Sequence, residues 1–372
     1  MPSRYDLSPD DLAALLDGEP AYRMRQVWDG LYRRVAEPEE LTDLPAGLRR
    51  RLADDAAFAP ALREARRSVS DGGDTVKWLW ALPDGAAVET VLMHYPASRP
   101  SGSGGEFPAS EAGNSPPERV GQVDRAGRST VCVSTQAGCA MACGFCATGQ
   151  AGFERNLSTG EIVEQVARAV RAARPRRVSN VVFMGMGEPF ANYDRVWGAV
   201  RRLHDDMGIS ARHLTLSTVG IVPGIRRLAT EDLPVNLAVS LHAADDELRD
   251  ELVPINRRYP LADLVDACRE YLDAKGRRLS FEWALIDGVN DRGIDADRLA
   301  ALARPLGAHV NLIPLNPTPG YATRGTPPAR VRAFRDRLKE LGVNVTVRRN
   351  RGTDIDAACG QLRAVAAAAL PD

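Results

Sequence analysis

The stretch Gly138-Cys139-Ala140-Met141-Ala142-Cys143-Gly144-Phe145-Cys146 holds three of the chain's six cysteines, with the spacing C-x3-C-x2-C. A thiolate is a nucleophile or a soft metal ligand, and three thiolates this close together repel one another unless a cation lies between them. A closed zinc site needs a fourth protein ligand, and the loop contains no further Cys or His. The spacing therefore favours an iron–sulfur cluster in which one iron stays open for another molecule.

The overall composition is typical of a soluble globular protein. The chain has 372 residues, of which 44% are hydrophobic and 26% are charged, and its net charge is −1. This length allows one large domain and a smaller one, and the charge gives no general argument for nucleic-acid binding. Lys occupies only positions 77, 275 and 339, and the many Arg pairs would hold phosphates only if they converge on one face. Genomic base composition is the simpler explanation of this arginine bias.

The sequence shows neither a signal peptide nor a membrane span. No apolar run follows the basic residue near the N-terminus, and no stretch approaches eighteen consecutive apolar residues. Six cysteines in a chain this long, three of them clustered, do not suggest a disulfide scaffold. These features predict a cytoplasmic protein without membrane contact.

The N-terminal third divides into three parts. Residues 1–65 carry helix signals, such as the N-cap and proline of Ser8-Pro9-Asp10-Asp11, and form either an RNA-binding module or a packing module. Residues 66–95 predict a β-hairpin turning at Pro83-Asp84-Gly85. Residues 96–127 are rich in Pro, Gly and Ser and are interpreted as a mobile insertion.

Residues 128–325 alternate between strand and helix patterns, which predicts a parallel sheet covered by helices. We expect this sheet to close into an incomplete TIM-like (β/α)6 barrel. A C-terminal segment, 326–372, follows the barrel. The predicted strands are Thr130–Ser134, Asn180–Met184, His213–Ser217, Val235–Leu241, Leu279–Leu285 and His309–Leu315.

Polar residues follow these strands where they end, and in parallel barrels those ends carry the functional site. They are Gly187, Glu188, Ser217, Ser240, Leu241, His242 and Asn316, together with the cysteine loop. Each has an ordinary alternative, such as a core histidine or a strand-ending serine. Gly185-x-Gly187 lacks the third glycine of a dinucleotide fingerprint, which argues against a Rossmann site. Because the strand-end residues are all predicted to lie on one rim of the barrel, they favour a site that binds a polar cofactor beside the cluster.

The remaining cysteines divide into two kinds. Cys268 lies on a predicted helix among apolar residues and is interpreted as a core residue. Cys359 follows a polar, glycine-bearing loop at a helix start, where the helix dipole lowers a thiol's pKa. From the residues alone, Cys359 is either reactive or a packing residue, and Cys132 has the same two interpretations.

Cys139-x3-Cys143-x2-Cys146, with Phe145 before the last cysteine, resembles the signature of the radical S-adenosylmethionine (SAM) superfamily. This resemblance implies a [4Fe–4S] cluster whose open iron binds SAM and whose electron cleaves SAM to a 5′-deoxyadenosyl radical. The wider pattern resembles the RlmN/Cfr class of RNA methyltransferases from about Tyr22 to Leu362. The segments that carry this second likeness are Met184–Pro189, Leu216–Thr218, Ser240–His242, Val253–Asn256, Asn316-Pro317 and Asp354–Leu362.

The likeness to the RlmN branch implies methylation of adenosine C2 in 23S rRNA, and in tRNA, with two SAM molecules per turnover. Cys359 would take a methyl group, and Cys132 would later release the product by forming a disulfide with Cys359. Glu89 matches the family's proton acceptor. The family's SAM contacts match the seven rim residues Gly187, Glu188, Ser217, Ser240, Leu241, His242 and Asn316.

The implied partners are RNA, an electron donor such as flavodoxin or ferredoxin, and a disulfide reductant, with the protein as a monomer. Three alternatives stay open: Cfr-like methylation at C8, another radical SAM enzyme, and a zinc-stabilised RNA-binding protein. Further cysteine clusters, common in other radical SAM enzymes, are absent from this sequence.

Overall fold

The computed structural model describes residues 3–95, 127–316, 324–348, 351–357 and 360–362. Within them the strands are β1 (Arg63–Ser70), β2 (Thr75–Ala81), β3 (Ala87–Tyr95), β4 (Arg128–Cys132), β5 (Gln136–Gly138), β6 (Phe153–Asn156), β7 (Val178–Phe183), β8 (Leu214–Thr218), β9 (Asn236–Ser240), β10 (Leu279–Leu285), β11 (His309–Pro314) and β12 (Val345–Val347). The α-helices are α1 (Pro9–Leu15), α2 (Tyr22–Tyr32), α3 (Ala46–Asp54), α4 (Ala147–Ala151), α5 (Thr159–Ala173), α6 (Tyr193–Arg201), α7 (Val222–Thr230), α8 (Asp246–Leu252), α9 (Leu261–Lys275), α10 (Gly293–Ala303) and α11 (Pro328–Glu340).

One sheet of ten strands forms the framework, in the order β1-β2-β3-β4-β7-β8-β9-β10-β11-β12. All pairs from β4 through β12 in this order are parallel. The predicted incomplete (β/α)6 barrel is confirmed, and the six predicted strands agree with the observed ones to within about two residues. Since the strands run in parallel, their carboxyl ends meet along a single edge.

The sheet continues beyond the barrel on the N-terminal side. The predicted hairpin is β2 and β3, and β3 pairs antiparallel with β4, so the hairpin extends the barrel sheet. An additional strand, β1, pairs antiparallel with β2. Its sequence, Arg-Glu-Ala-Arg-Arg-Ser-Val-Ser, lacks an apolar face because most of its side chains are exposed at the sheet edge. The hydrophobic pattern therefore did not predict it.

The N-terminal helices share one hydrophobic core with the barrel. Leu12 of α1, Leu31 of α2 and Leu48 of α3 belong to the same buried cluster as Val163 of α5 and Val200 of α6. Helix α5 begins with a reciprocal capping box formed by Ser158 and Glu161. The helical region thus packs directly on the outer helices of the barrel.

A buried carboxylate on α5 fastens this N-terminal region to the barrel. Glu164 is fully buried, and its Oε2 accepts hydrogen bonds from Ser3 Oγ and Ala61 N, both at 2.9 Å. Arg168, one turn further along α5, donates to Glu164 Oε1 at 3.1 Å. One side chain thereby connects the first described residue with the segment that leads into β1.

Two predicted segments fall largely outside the described residues: the insertion at 96–127, of which only residue 127 is described, and the helix predicted to start at Cys359, of which only residues 360–362 are described. None of the helices described here is both long enough and apolar enough to cross a membrane.

We expect Glu164→Ala to lower the free energy of unfolding, by about 1–3 kcal/mol for each buried donor left without an acceptor. Urea denaturation followed by circular dichroism measures this loss, and limited proteolysis near residue 60 reports local release of the N-terminal region. Glu154→Ala on β6 is the matched control, since Glu154 is exposed. Equal stability of the two variants would contradict the role assigned to Glu164.

Candidate active site

The cysteine loop is held at both ends by backbone contacts. Cys139 N donates to Gly152 O at 2.7 Å, and Ala147 N, directly after the last cysteine, donates to Gly360 O at 2.8 Å. Gly138 precedes the loop with a φ of 72°, and a Cβ there would lie 2.0 Å from Gly152 O. The loop therefore requires glycine at position 138, both for its backbone conformation and for this close approach.

The three loop cysteines line one cavity and supply three thiol groups of the kind that hold an iron–sulfur cluster. Burial raises the pKa of the Cys139 thiol to about 12, and it raises the pKa of Cys143 as well. Thiolates at these positions therefore need a cation. Among the described residues, no three His, Cys, Asp or Glu side chains are arranged to hold one metal ion.

The rim residues predicted from the strand ends largely converge on this cavity. Leu241 is an exception, because its side chain packs in the hydrophobic core. Asn316, which follows β11, is buried but does not line the cavity. The predicted residues that line the cavity are Cys139, Cys143, Cys146, Gly187, Glu188, Ser217, Ser240 and His242.

Glu188 is a buried carboxylate that connects two of the rim loops. Its Oε1 accepts from Phe190 N at 2.9 Å, and its Oε2 accepts from Val219 N at 2.8 Å. Burial raises the pKa of Glu188 to about 7, although these backbone hydrogen bonds oppose the shift. A cationic ligand group in the cavity would favour the ionised form. The side chain can therefore position loops and accept from an ammonium group.

Gly187 allows a close contact within the protein. Its φ is 100°, and a Cβ at this position would lie 2.6 Å from Gln136 Cβ of β5. Gln136 Oε1 in turn accepts from Glu188 N at 2.8 Å. The glycine therefore lets β5, which leads into the cysteine loop, approach the loop after β7 closely.

His242 has a defined protonation state and tautomer. Its Nδ1 accepts from Ala284 N at 3.0 Å, so the proton of the neutral ring lies on Nε2. Burial, with a smaller effect of Arg249, lowers the pKa of His242 to about 3. The ring packs edge-on against Phe145 of the cysteine loop, with centroids 4.7 Å apart. His242 therefore presents a neutral N–H donor next to the loop.

Glu89 and Cys132 lie on the same face of the sheet extension. The register pairs Lys77 with Val91 and Val91 with Cys132 across β2, β3 and β4, and Glu89 lies two residues before Val91. Both Glu89 and Cys132 are buried. Lys77 Nζ forms an ion pair with Glu89 Oε1 at 2.8 Å. Since alternate residues share a face, the side chains of Lys77, Glu89 and Cys132 face the same side.

The segment before Cys359 docks on this hairpin. Lys77 Nζ donates to Asp356 O at 3.1 Å, and Gly352 N donates to Asp71 Oδ2 at 3.2 Å. Thus the lysine that pairs with Glu89 also contacts the C-terminal segment.

The segment after Cys359 contacts the cysteine loop instead. Ala147 N, directly after Cys146, donates to Gly360 O at 2.8 Å, and Thr148 Oγ1 donates to Leu362 O. Gly360 and Leu362 also line the cavity of the three cysteines. Cys359 itself lies outside the described residues, so its predicted role stays a prediction.

Two buried charged residues next to the rim were not predicted. Glu282 of β10 lines the cavity, and its carboxylate accepts from Ser280 Oγ at 3.1 Å and from Asn311 Nδ2 at 3.0 Å. Arg249 of α8 is fully buried behind the loops after β8 and β9. A polar residue in a strand and an arginine in an acidic helix carry no sequence signal that distinguishes them from surface residues.

Comparisons with known proteins agree with this geometry. Residues 133–300 match the model of the Radical SAM superfamily. A probable dual-specificity RNA methyltransferase RlmN from Roseiflexus castenholzii is 48% identical, over 97% of this chain and 96% of that protein. Its counterpart from Acidothermus cellulolyticus is 52% identical over 93% and 82%. The crystal structure of a radical SAM methyltransferase from Sphaerobacter thermophilus has a TM-score of 0.86, 45% identity and coverage of 98% and 99%.

We expect Glu188→Gln to remove a pH dependence from the stability of the protein. The pKa of Glu188 is raised from 4.5 to about 7 on folding, so the stability associated with its protonated form is complete below pH 4.5 and is lost as the pH rises through 7. The neutral amide of the variant does not titrate, so its free energy of unfolding should not show the fall of up to about 3 kcal/mol that we expect for the wild type between pH 4.5 and pH 8. Because the amide Nε2 cannot accept a hydrogen bond, the variant leaves one of the two backbone donors, Phe190 N or Val219 N, without an acceptor at every pH.

Urea unfolding at pH 4.5 and pH 8 measures this difference. Glu251→Gln, at an exposed position on α8, should follow the wild type at both values. A Glu188→Gln variant whose stability falls between pH 4.5 and pH 8 as much as that of the wild type would contradict the raised pKa of Glu188.

Proposed function

The chain belongs to the RlmN family of radical SAM RNA methyltransferases, and from this premise we propose that it methylates C2 of adenosine in 23S rRNA and in tRNA. Family membership makes it a SAM-dependent RNA methyltransferase that uses a [4Fe–4S] cluster. The C2 position, the two RNA substrates and the course of the reaction are the proposal. The observation that carries it is that one rim brings together the three loop cysteines and the described neighbours of Cys359.

The cofactors are assigned to the residues that line the cavity. Cys139, Cys143 and Cys146 hold the cluster, and Glu188 accepts hydrogen bonds from the ammonium group of SAM. His242 donates from Nε2 on the same rim. Gly187, Ser217, Ser240, Leu241 and Asn316 complete the proposed SAM contacts. When bound, the cluster and SAM supply the one-electron chemistry that methylation of a non-nucleophilic carbon requires.

A thiol pair carries and releases the methyl carbon in this proposal. Cys359 takes a methyl group from one SAM by displacement, and a second SAM is consumed in activating that group. Glu89 accepts the proton that leaves adenine C2. Cys132 then attacks the sulfur of Cys359, which frees the base and leaves a disulfide. A covalent intermediate of this kind divides a difficult step into easier ones.

Contacts on both sides of Cys359 support this pairing. Asp356 contacts Lys77, which forms an ion pair with Glu89 on the face that also carries Cys132. Gly360, on the other side, contacts the backbone directly after Cys146. These contacts link the C-terminal segment to both the cluster loop and the proposed base.

Further partners follow from the chemistry. One electron from a donor such as flavodoxin or ferredoxin is needed to start the reaction, and two electrons from a reductant are needed after each turnover to restore the thiols of Cys132 and Cys359. We propose that the enzyme acts as a cytoplasmic monomer and that residues 1–65 contribute to RNA binding. Its other parts are the hairpin at 66–95, the insertion at 96–127, the barrel at 128–325 and the C-terminal segment at 326–372.

We expect Cys359→Ala to bind iron and SAM as the wild type does but to produce no methylated adenosine, because the methyl carrier is lost. Mass spectrometry of nucleosides from 23S rRNA and tRNA, incubated with reconstituted enzyme, measures the product. Cys268→Ala is the matched control, since Cys268 is a buried core residue of α9. That variant should lose some stability and retain methylation.

The same measurement distinguishes the positions on the base. 2-Methyladenosine from the wild type supports the proposal, and 8-methyladenosine would replace it by Cfr-like activity. Methylation by Cys359→Ala would exclude the two-cysteine route. A product found in only one of the two RNAs would restrict the substrate range accordingly.

A further inference from the structure

The loops after β8 and β9 are joined by a single buried arginine. Arg249 on α8 has no exposed surface. Its Nε donates to Leu241 O at 3.1 Å, and one Nη donates to Val219 O at 2.6 Å and to Ser240 O at 3.5 Å. A guanidinium has five N–H donors in a rigid plane, so it can hold several carbonyl groups in fixed relative positions. Arg249 therefore fixes the ends of two adjacent barrel strands.

The charge of this arginine has no direct carboxylate partner in the described chain. Its other Nη donates to Asn256 Oδ1 at 2.7 Å. Asn256 Nδ2 then donates to Asp246 Oδ1 at 2.9 Å and to Asp250 Oδ1 at 2.7 Å. The two carboxylates thus reach Arg249 only through an amide. Burying a cation among neutral acceptors is costly unless a negative charge lies close by.

The cysteine loop packs against the same helix. Cys143 and Phe145 form a buried cluster with Ala243, Leu252 and Val253, which include the end of α8 and the residue after it. Val219 and Ser240, whose carbonyl oxygens accept from Arg249, also line the cavity of the three cysteines. The guanidinium of Arg249 therefore lies directly behind the wall of the cavity that the loop cysteines line.

We propose that Arg249 is a positioning residue whose buried positive charge offsets the negative charge of a cluster held by Cys139, Cys143 and Cys146. This inference rests on the cluster assignment of the proposed function. One-electron reduction, by the external donor already named, adds one negative charge to the site and makes or breaks no bond. A buried cation nearby stabilises the reduced form, and so it raises the reduction potential.

The test compares three variants of the full chain after anaerobic reconstitution with iron and sulfide. Arg249→Met removes the charge at similar side-chain length, and Arg249→Lys retains the charge. Arg257→Met is the matched control, because it removes one positive charge at an exposed position eight residues further along. Iron content and the reduction potential, from a redox titration monitored by electron paramagnetic resonance without RNA, are the readouts.

We expect Arg249→Met to shift the potential to more negative values, with Arg249→Lys and Arg257→Met close to the wild type. A loaded Arg249→Met protein with an unchanged potential would overturn the proposal. If Arg249→Met does not fold, Arg249→Lys decides: bound iron at the wild-type potential supports the proposal, and lost iron or a lowered potential overturns it. Failure of the cluster assignment is distinguishable, because the wild type would then bind no cluster.

Discussion

Parallel pairing of β4, β7, β8, β9, β10 and β11 is the constraint on which the site depends. It forces the carboxyl ends of these strands to one edge, where the loops that follow them meet around one cavity. Residues more than a hundred positions apart, such as Cys139 and His242, thereby line the same space. The cysteine loop adds its own hairpin, β5 and β6, at this edge, and Gly138 and Gly187 permit the close backbone approaches that hold it there.

Buried charges perform the finer positioning around this edge. Glu188 connects the loops after β7 and β8, and Arg249 connects those after β8 and β9. Glu164 performs the corresponding task on the outside of the barrel, where it ties the N-terminal region to α5. Each of these side chains carries a desolvation cost that an apolar residue would avoid. The protein retains them because directed hydrogen bonds fix loops that contain little regular structure.

The N-terminal hairpin connects the barrel to the C-terminal segment. Since β3 pairs with β4, the face of the hairpin is continuous with the strand that carries Cys132. Lys77 joins Glu89 and Asp356 on that face, while Gly360 returns to the helix after the cysteine loop. Elements from both ends of the sequence thus meet beside the first barrel strand.

The sequence by itself determined the six barrel strands, the hairpin before them, the cysteine loop, and the positions of Glu188, Ser217, Ser240 and His242 on the rim. Local patterns sufficed for these, because strand periodicity and residue type at strand ends follow from the parallel barrel. Tertiary structure alone decided the pairing of β1, the orientation of Leu241 into the core, and the roles of Glu164 and Arg249. Strand β1, Glu164 and Arg249 form hydrogen bonds with backbone groups or with residues distant in sequence. Such partners cannot be recognised from the local sequence, because no periodicity or motif marks them.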